Sequence, residues 1–479
     1  MKINFSLLLF ICVLSFTACA QSLSLDSEFC GVDTNNKIIV CHLNYESQKM
    51  NNSYSKIVID TTEYSFEKGS VKPSTETKYT VFTEKETYTL YFSSLPIIKL
   101  QTQDSIVNEP KIVAQFSYGS KSDIVVSTAG IELRGNSALR YPKKSYDMEF
   151  WKDTETKKTK DYKFNTLRKD DDWQFNSMYN EPLKLRSYVS NKLWLAIRKL
   201  SYTDQEPTSK SGLDLLLAEV FLNNEYHGVY YFSEQIDRKQ LQLKKYDDSL
   251  KIVFGELFKA NRYAGGTAFK SIEDFNNAFP EWNGFGMRYP YEDYVAHYND
   301  LYKLVSLIAT ATDEEFKTNI ATYFDIDNAI DYFLFINLLR ATDNMGKNYF
   351  LARYNKDTPY FFVPWDLDGV MGQIQDGKRI STTNDILSNH FFDRLITTNA
   401  ANFNKRVKER WTLLREDEYS TNSILSKVKK LHSFYLENNI YEREHIAWPE
   451  TNVAENDLAY LTKWLKDRLA FLDTHFERQ

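Results

Sequence analysis

The stretch RATDNMGKNYFLARYNKDTPYFFVPWDLDGVMG, residues 340–372, sets an acid, Asp343, five positions before an amide, Asn348, and ends an apolar run on two further acids, Asp366 and Asp368. Just upstream, Ile326, Ile330, Phe333, Leu334 and Leu338 repeat at helical spacing as far as Arg340. Asp343 is therefore expected just past a helix anchored in the core. NYFLARY and PYFFVPWD read as strands, and Pro364 confines the second to an edge or a terminus. Asp366 and Asp368 then fall in the loop behind it.

Downstream, RVKERWTLL, SILSKVKKLHSFYL and LAYLTKWLKDRLAFLDTHF are helical to the end. Upstream, Tyr294, Tyr298, Leu301, Val305 and Ile308 form another helical stripe. These segments give a mainly helical lobe around a short hairpin. Before them, DLLLAEVFLNNEYHGVYYFSEQID reads as two strands, Leu215 to Leu222 and Gly228 to Phe232, joined at Asn-Asn. EPLKLRSYVSNKLWLAIRKL reads as a helix with Pro182 in its first turn. In GIELRGNSALRYPKKSYDMEF a strand passes through a Gly-containing turn into a second strand. Period 2 places Lys144, Tyr146, Met148 and Phe150 on one face and Lys143, Ser145, Asp147 and Glu149 on the other. The turn from Gly135 through Asn136 to Ser137, with a lysine behind it, is able to wrap phosphate oxygens; a plain hairpin bearing two solvated lysines is the competing reading. Strands, one helix and more strands give a small mixed lobe, which Glu234 closes.

Short alternating runs from Cys30 to Phe92, such as KIIVCHLNY and TYTLYF, read as a small antiparallel all-β module over residues 22–94, expected to act as a spacer or binding module. At the start of the chain, Lys2 and the apolar FSLLLFICVLSF read as a signal peptide over residues 1–20, too short to span a membrane. FTAC resembles a lipobox with Cys19 as the lipidated residue, and ACA fits cleavage after Ala20 instead. An exported protein is expected either way: an envelope lipoprotein, at the periplasm or cell surface, in the first case, and a secreted one in the second. Cys30 and Cys41, the cysteines left outside the signal region, suggest one disulfide, with two reduced buried thiols as the alternative.

A formal charge of −6 on 479 residues gives no field to recruit nucleic acid, and membrane contact is expected only through the anchor. With 42% hydrophobic and 15% aromatic residues the chain has material for a large core and reads as globular.

The chemistry of the opening stretch follows from its order. A base that orients a hydroxyl, an amide oxygen and a carboxylate are what phosphoryl transfer asks of a protein, and hard oxygen ligands suit Mg2+ or Mn2+ rather than zinc. D-x-x-x-x-N is the interval of a protein kinase catalytic loop. Solvated turn formers are one competing reading. A calcium loop opened by Asp366 is another, disfavoured because its fifth and twelfth positions would be Val370 and Gly377.

From about Leu95 to Leu472 the chain resembles the CotH kinase family of atypical protein kinases. RGNSALRYPKKSY, EVFLNNEYHGVYYFSEQID, YFDIDNAIDYFLFINLLRATDNMGKNYFLARY and VPWDLDGVMG carry the resemblance, in the family's order. It implies an α+β, two-lobed kinase-like domain over residues 95–479, with a mixed strand and helix N-lobe and a mainly helical C-lobe. It also implies that RGNS, residues 134–137 with Asn136 and Ser137 foremost, and one of Lys143 and Lys144 contact ATP, and that Glu234, at a hinge-like link, also takes part in holding it. Asp343 is then the catalytic acid, Asn348 and Asp366 bind the metal, and Asp368 stands beside it. The implied activity is transfer of the γ-phosphoryl group of ATP to Ser or Thr hydroxyls of a protein substrate. A surface adhesin or structural module that keeps the fold without catalysis is the alternative.

Overall fold

The computed structural model describes residues 21–43, 52–121, 123–291, 296–451 and 456–477. The expected signal peptide, with its Cys19 and Ala20 alternatives, lies outside the described residues, as does Tyr294. Among the described residues no helix is long and apolar enough to cross a membrane.

The first strands are β1 (Ser22–Leu25), β2 (Cys30–Asp33), β3 (Ile38–His42), β4 (Lys56–Ile59), β5 (Thr62–Phe66), β6 (Lys78–Phe82) and β7 (Thr87–Ser93). They form one seven-stranded sheet in the order β1-β4-β5-β6-β7-β3-β2. It is not purely antiparallel: β1 runs parallel to β4 and β3 parallel to β7. The expected disulfide is absent. Cys30 and Cys41 face each other across β2 and β3 as buried free thiols, and burial, then the neighbouring Cys30 thiol, pushes the Cys41 thiol well up. The backbone ladder already closes this short loop, so the sheet does not depend on a covalent link there.

The next strands are β8 (Ile97–Gln101), β9 (Ile112–Ser120), β10 (Asp123–Arg134), β11 (Ser145–Trp151), β12 (Tyr162–Lys163), β13 (Lys169–Asp170), β14 (Asp172–Asn176), β15 (Leu215–Leu222) and β16 (Glu225–Ser233). All but the β12-β13 ribbon close into a barrel, β10-β11-β14-β16-β15-β8-β9. Tyr146, Met148 and Phe150 alternate inward from β11 as expected, and Phe116, Phe164, Trp173, Phe175 and Phe232 join them. Trp173 and Phe232 stack with centroids 4.8 Å apart. The barrel is thus a packed core, not a pore. The β15-β16 turn is Asn223-Asn224 with both residues at positive φ, the backbone a two-residue hairpin loop requires.

Helix α1 (Arg186–Ile197) starts later than the sequence suggested. Lys184 adopts a left-handed backbone, φ 52°, so Pro182 and Leu183 precede the helix and Glu181 accepts from the Arg186 N–H at 3.0 Å. After α2 (Arg238–Leu241), strands β17 (Glu256–Ala260), β18 (Glu281–Trp282), β19 (Phe285–Tyr289), β20 (Tyr349–Arg353) and β21 (Tyr360–Pro364) form a second sheet in the order β18-β19-β17-β20-β21. β21 is an edge strand and ends on Pro364, as its proline demands.

Around this sheet lie α3 (Asn299–Thr310), α4 (Asp313–Tyr323), α5 (Ile326–Leu339), α6 (His390–Thr398), α7 (Phe403–Glu416), α8 (Thr421–Glu437), α9 (Ile440–Ala447) and α10 (Asp457–Glu477). Helix α5 is the hub: every residue in it but Asp327 is buried, and it packs on α1, α7, α10 and β21. Its buried polar residues, Asn328, Asp331 and Asn337, are each hydrogen-bonded, as burial at the centre of the fold requires. The fold is mixed α+β, with sheet, barrel, second sheet and helices in chain order.

Candidate functional site

Helix α5 ends on Arg340 in the left-handed conformation, φ 54°, and the chain enters a single turn, Thr342–Met345, that holds Asp343. The Asn348 amide donates to Asp343 Oδ2 at 3.4 Å and the Lys347 ammonium lies 2.8 Å from the same oxygen. Among the described residues both partners therefore take Oδ2. Asn348 and Asp366 each sit at φ 58°, a backbone that costs a non-glycine residue energy and that recurs at functional sites.

A buried side chain that the sequence reading missed, Asn344, holds these two residues in place. Its amide donates to Asn348 O at 2.6 Å and to Trp365 O at 2.9 Å, while Trp365 N–H donates to Asn348 O at 3.0 Å. The acid turn and the loop after β21 are thereby one unit. Asn344→Ala is expected to cost about 1–3 kcal/mol, because a buried double donor is lost and its acceptors stay buried. Denaturant titration measures it, and an unchanged midpoint would refute the clamp.

Asn136, Asn348, Asp366 and Asp368 line one cavity of about 370 Å3, with Arg134, Tyr141, Asn176, Asn180, Lys259, Asn261 and Trp365. A space of this size takes a nucleotide-sized ligand. An adjoining cavity of about 400 Å3 shares Arg134, Gly135, Lys259 and Trp365 and adds Glu132, Asp147, Gln235, Ile236, Arg288 and Phe350. The two form one cleft between the barrel and the second sheet. Gly135 turns the wall of that cleft at φ 101°, which only glycine adopts at ease. Ser137 opens the turn Ser137–Arg140; the expectation placed on its side chain lies outside what is described.

Asp366 and Asp368 face the cleft together. Burial, then the Asp366 charge, pushes the Asp368 carboxyl up to about 7, against the Asn180 amide that donates to it at 3.2 Å. Two neighbouring carboxylates and an amide are a hard-oxygen set that a divalent cation of the Mg2+ class fits. Asp366, Asp368 and Asn348 are the residues that would hold it.

Positive charge reaches the cleft from Arg134, the first residue of RGNS, and from Lys259 and Arg288, which the sequence reading did not name. Lys259 stands over Trp365 at 5.6 Å and Phe350 at 5.9 Å, and Arg134 over the same Trp365 at 5.1 Å. Burial, then Arg288 and Arg134, pulls the Lys259 ammonium down to about 8, and Asp366 opposes that shift. Cations crowded together in a cleft in this way await an anion.

Three expected contacts are corrected. Lys143 is wholly buried on the other side of the barrel wall, donating to Val229 O at 2.8 Å and to Glu444 of α9 at 2.7 and 3.1 Å. Lys144 precedes β11 and caps Leu139 O at 2.7 Å, so neither lysine of the pair lines the cleft. The Glu234 side chain is buried beneath Lys210, 2.7 Å away, and accepts from the Arg168 N–H; the residues after it, Gln235 and Ile236, reach the cleft instead. Two further buried acids, Glu181 and Glu219, are engaged away from the cleft, Glu181 with Arg186 and Glu219 with Arg443, Ser93 and Tyr226.

The barrel, the second sheet and the loop after β21 together form a cleft lined with carboxylates and cations. The family model described as CotH kinase protein matches residues 131–472, and the chain belongs to that family. The match begins in β10 and ends in α10, so the seven-stranded sheet stands outside it. No curated protein matches the chain.

Proposed function

We propose that this protein is an exported atypical kinase that transfers the γ-phosphoryl group of ATP to Ser or Thr hydroxyls of a secreted or envelope protein. The barrel and the helical region act in this reading as the two lobes of a kinase-like domain. The observation that carries it is the cleft between the barrel and the second sheet, lined by Asp366, Asp368 and Asn348 together with Arg134 and Lys259, with Asp343 bonded to Asn348.

Asn348, Asp366 and Asp368 bind the divalent cation, which when bound neutralises phosphate charge. Lys259 and Arg134 bind phosphate oxygens, and Trp365 and Phe350 form the apolar wall beside them. Asp343, held by Asn348 and Lys347 on one oxygen, uses the other to accept the proton of the acceptor hydroxyl. Because the reaction involves little covalent work by the protein, these positioning contacts account for most of the catalysis.

Incubating the protein with ATP labelled at the γ-phosphate, Mg2+ or Mn2+ and an envelope extract tests the reading, with label on Ser or Thr as the expected result. Lys259→Met is expected to weaken ATP binding about tenfold, the loss of one charge-assisted contact. Calorimetric titration measures that affinity, and unchanged binding would remove Lys259 from the phosphate site. If the wild type transfers no phosphate to any acceptor, the chain is a binding module built on this fold.

A further inference from the structure

At the end of the second sheet remote from Asn348, three side chains meet that the phosphotransfer reading does not use. Glu256 opens β17, His297 precedes α3 and Asp300 lies in its first turn. One donor atom from each falls within 4.8 Å of the other two. Glu256 is wholly buried, and among the described residues its Oε1 accepts no hydrogen bond although His297 Nε2 is 3.2 Å away.

The other carboxylate oxygens are occupied in a way that aims this set. Arg353 Nη2 lies 2.8 Å from Glu256 Oε2 and 2.6 Å from Asp300 Oδ2, and Tyr360 OH also donates to Glu256 Oε2. One guanidinium thus orients both acids and leaves Glu256 Oε1 facing the imidazole. Among the described residues Asp300 Oδ1 bonds only to Lys303, 2.8 Å away, whose side chain is 60% exposed and free to swing into water. Arg353 and Lys303 balance the two carboxylates as they stand, so a bound cation takes the place of Lys303 at Asp300 Oδ1.

We propose that Glu256, His297 and Asp300 bind a divalent cation of the zinc class. Zinc takes imidazole nitrogen and carboxylate oxygen at ~2.0–2.1 Å, and two donors at a tetrahedral angle then stand about 3.3 Å apart, close to the 3.2 Å between Glu256 Oε1 and His297 Nε2. Arg353 supplies the outer contact that fixes ligating carboxylates. The ion fastens the start of α3 to the strand that carries Lys259, so its role is structural. The site is separate from the cleft and independent of whether phosphate is transferred there.

The test uses the full chain with Asp366→Ala and Asp368→Ala, so that a cation held in the cleft does not contribute. After incubation with zinc and gel filtration, elemental analysis is expected to find one retained equivalent, and cobalt(II) in its place should give the visible absorption of a low-coordinate site. Adding His297→Ala should remove both signals. Retention of no metal by the parent, or of the same metal by the His297→Ala variant, would overturn the proposal. Lys303→Ala covers the case in which His297→Ala does not fold: it frees Asp300 Oδ1 and should tighten zinc binding severalfold, and unchanged affinity would count against the site.

Discussion

Asp343→Asn is expected to leave ATP affinity nearly unchanged and to lower phosphate transfer by about 10²-fold or more, the usual loss when a general base is removed. The substitution keeps the size of the side chain and one acceptor oxygen. It removes the charge that pairs with Lys347 at 2.8 Å and that is to take the hydroxyl proton. Lys347 is a surface partner, with its side chain 36% exposed, so losing that pair costs the fold little. Single-turnover transfer with saturating ATP, alongside calorimetric titration of ATP, separates the steps. A variant that transfers at the wild-type rate would make Asp343 a turn residue; one that loses nucleotide affinity together with transfer would place it on the metal instead.

The parts of this site that were legible in the sequence are those joined by short stretches of chain. A 3.6-residue period fixes the end of α5, five residues separate Asp343 from Asn348, and Pro364 ends β21 just before Asp366. Local rules decide each of these. Of the cations, Arg134 was legible as part of RGNS, but Lys259 was not. Lys259 faces the cleft only because β17 pairs with β20 in a register that sets it opposite Phe350, and nothing in ELFKANR announces that pairing. Lys143 misled for the same reason. Strand alternation left open which lysine faced inward, while its partner, Glu444, stands 301 residues away on a helix with no strong pattern of its own. Barrel closure was equally hidden, since it rests on β8 running parallel to β15 across more than a hundred residues. The disulfide failed for a different reason: cysteine parity indicates which residues are able to pair, not whether a sheet that already aligns them forms the bond.

Glu444 is where the largest loss of stability is expected. Its carboxylate is wholly buried and receives Lys143 at 2.7 Å, Lys184 at 3.4 Å and the Val229 N–H, the last made possible by Gly228 at φ 83°, where any side chain would collide with Glu444. Despite burial, the two lysines hold the Glu444 carboxyl below its ordinary value, while burial pulls Lys143 down to about 7. Glu444→Ala strands two buried ammonium groups and a backbone N–H together, and breaking one partner out of a buried pair costs about 3–5 kcal/mol. The neighbouring residues of α9 reach both sheets, Arg443 through Glu219 of β15 in the barrel and Glu442 through Lys78 of β6 in the seven-stranded sheet, so the loosened helix should also weaken that docking. Lys143→Met provides the contrast. Were Lys143 a phosphate ligand, the variant would lose ATP affinity at normal stability; buried against Glu444, it should lose stability and, once folded, bind ATP as the wild type does. Denaturant unfolding and ATP titration of both variants decide between these roles, and a loss under about 1 kcal/mol for Glu444→Ala, the range of an exposed pair, would mean that the charges at the centre of this junction are not what locks it.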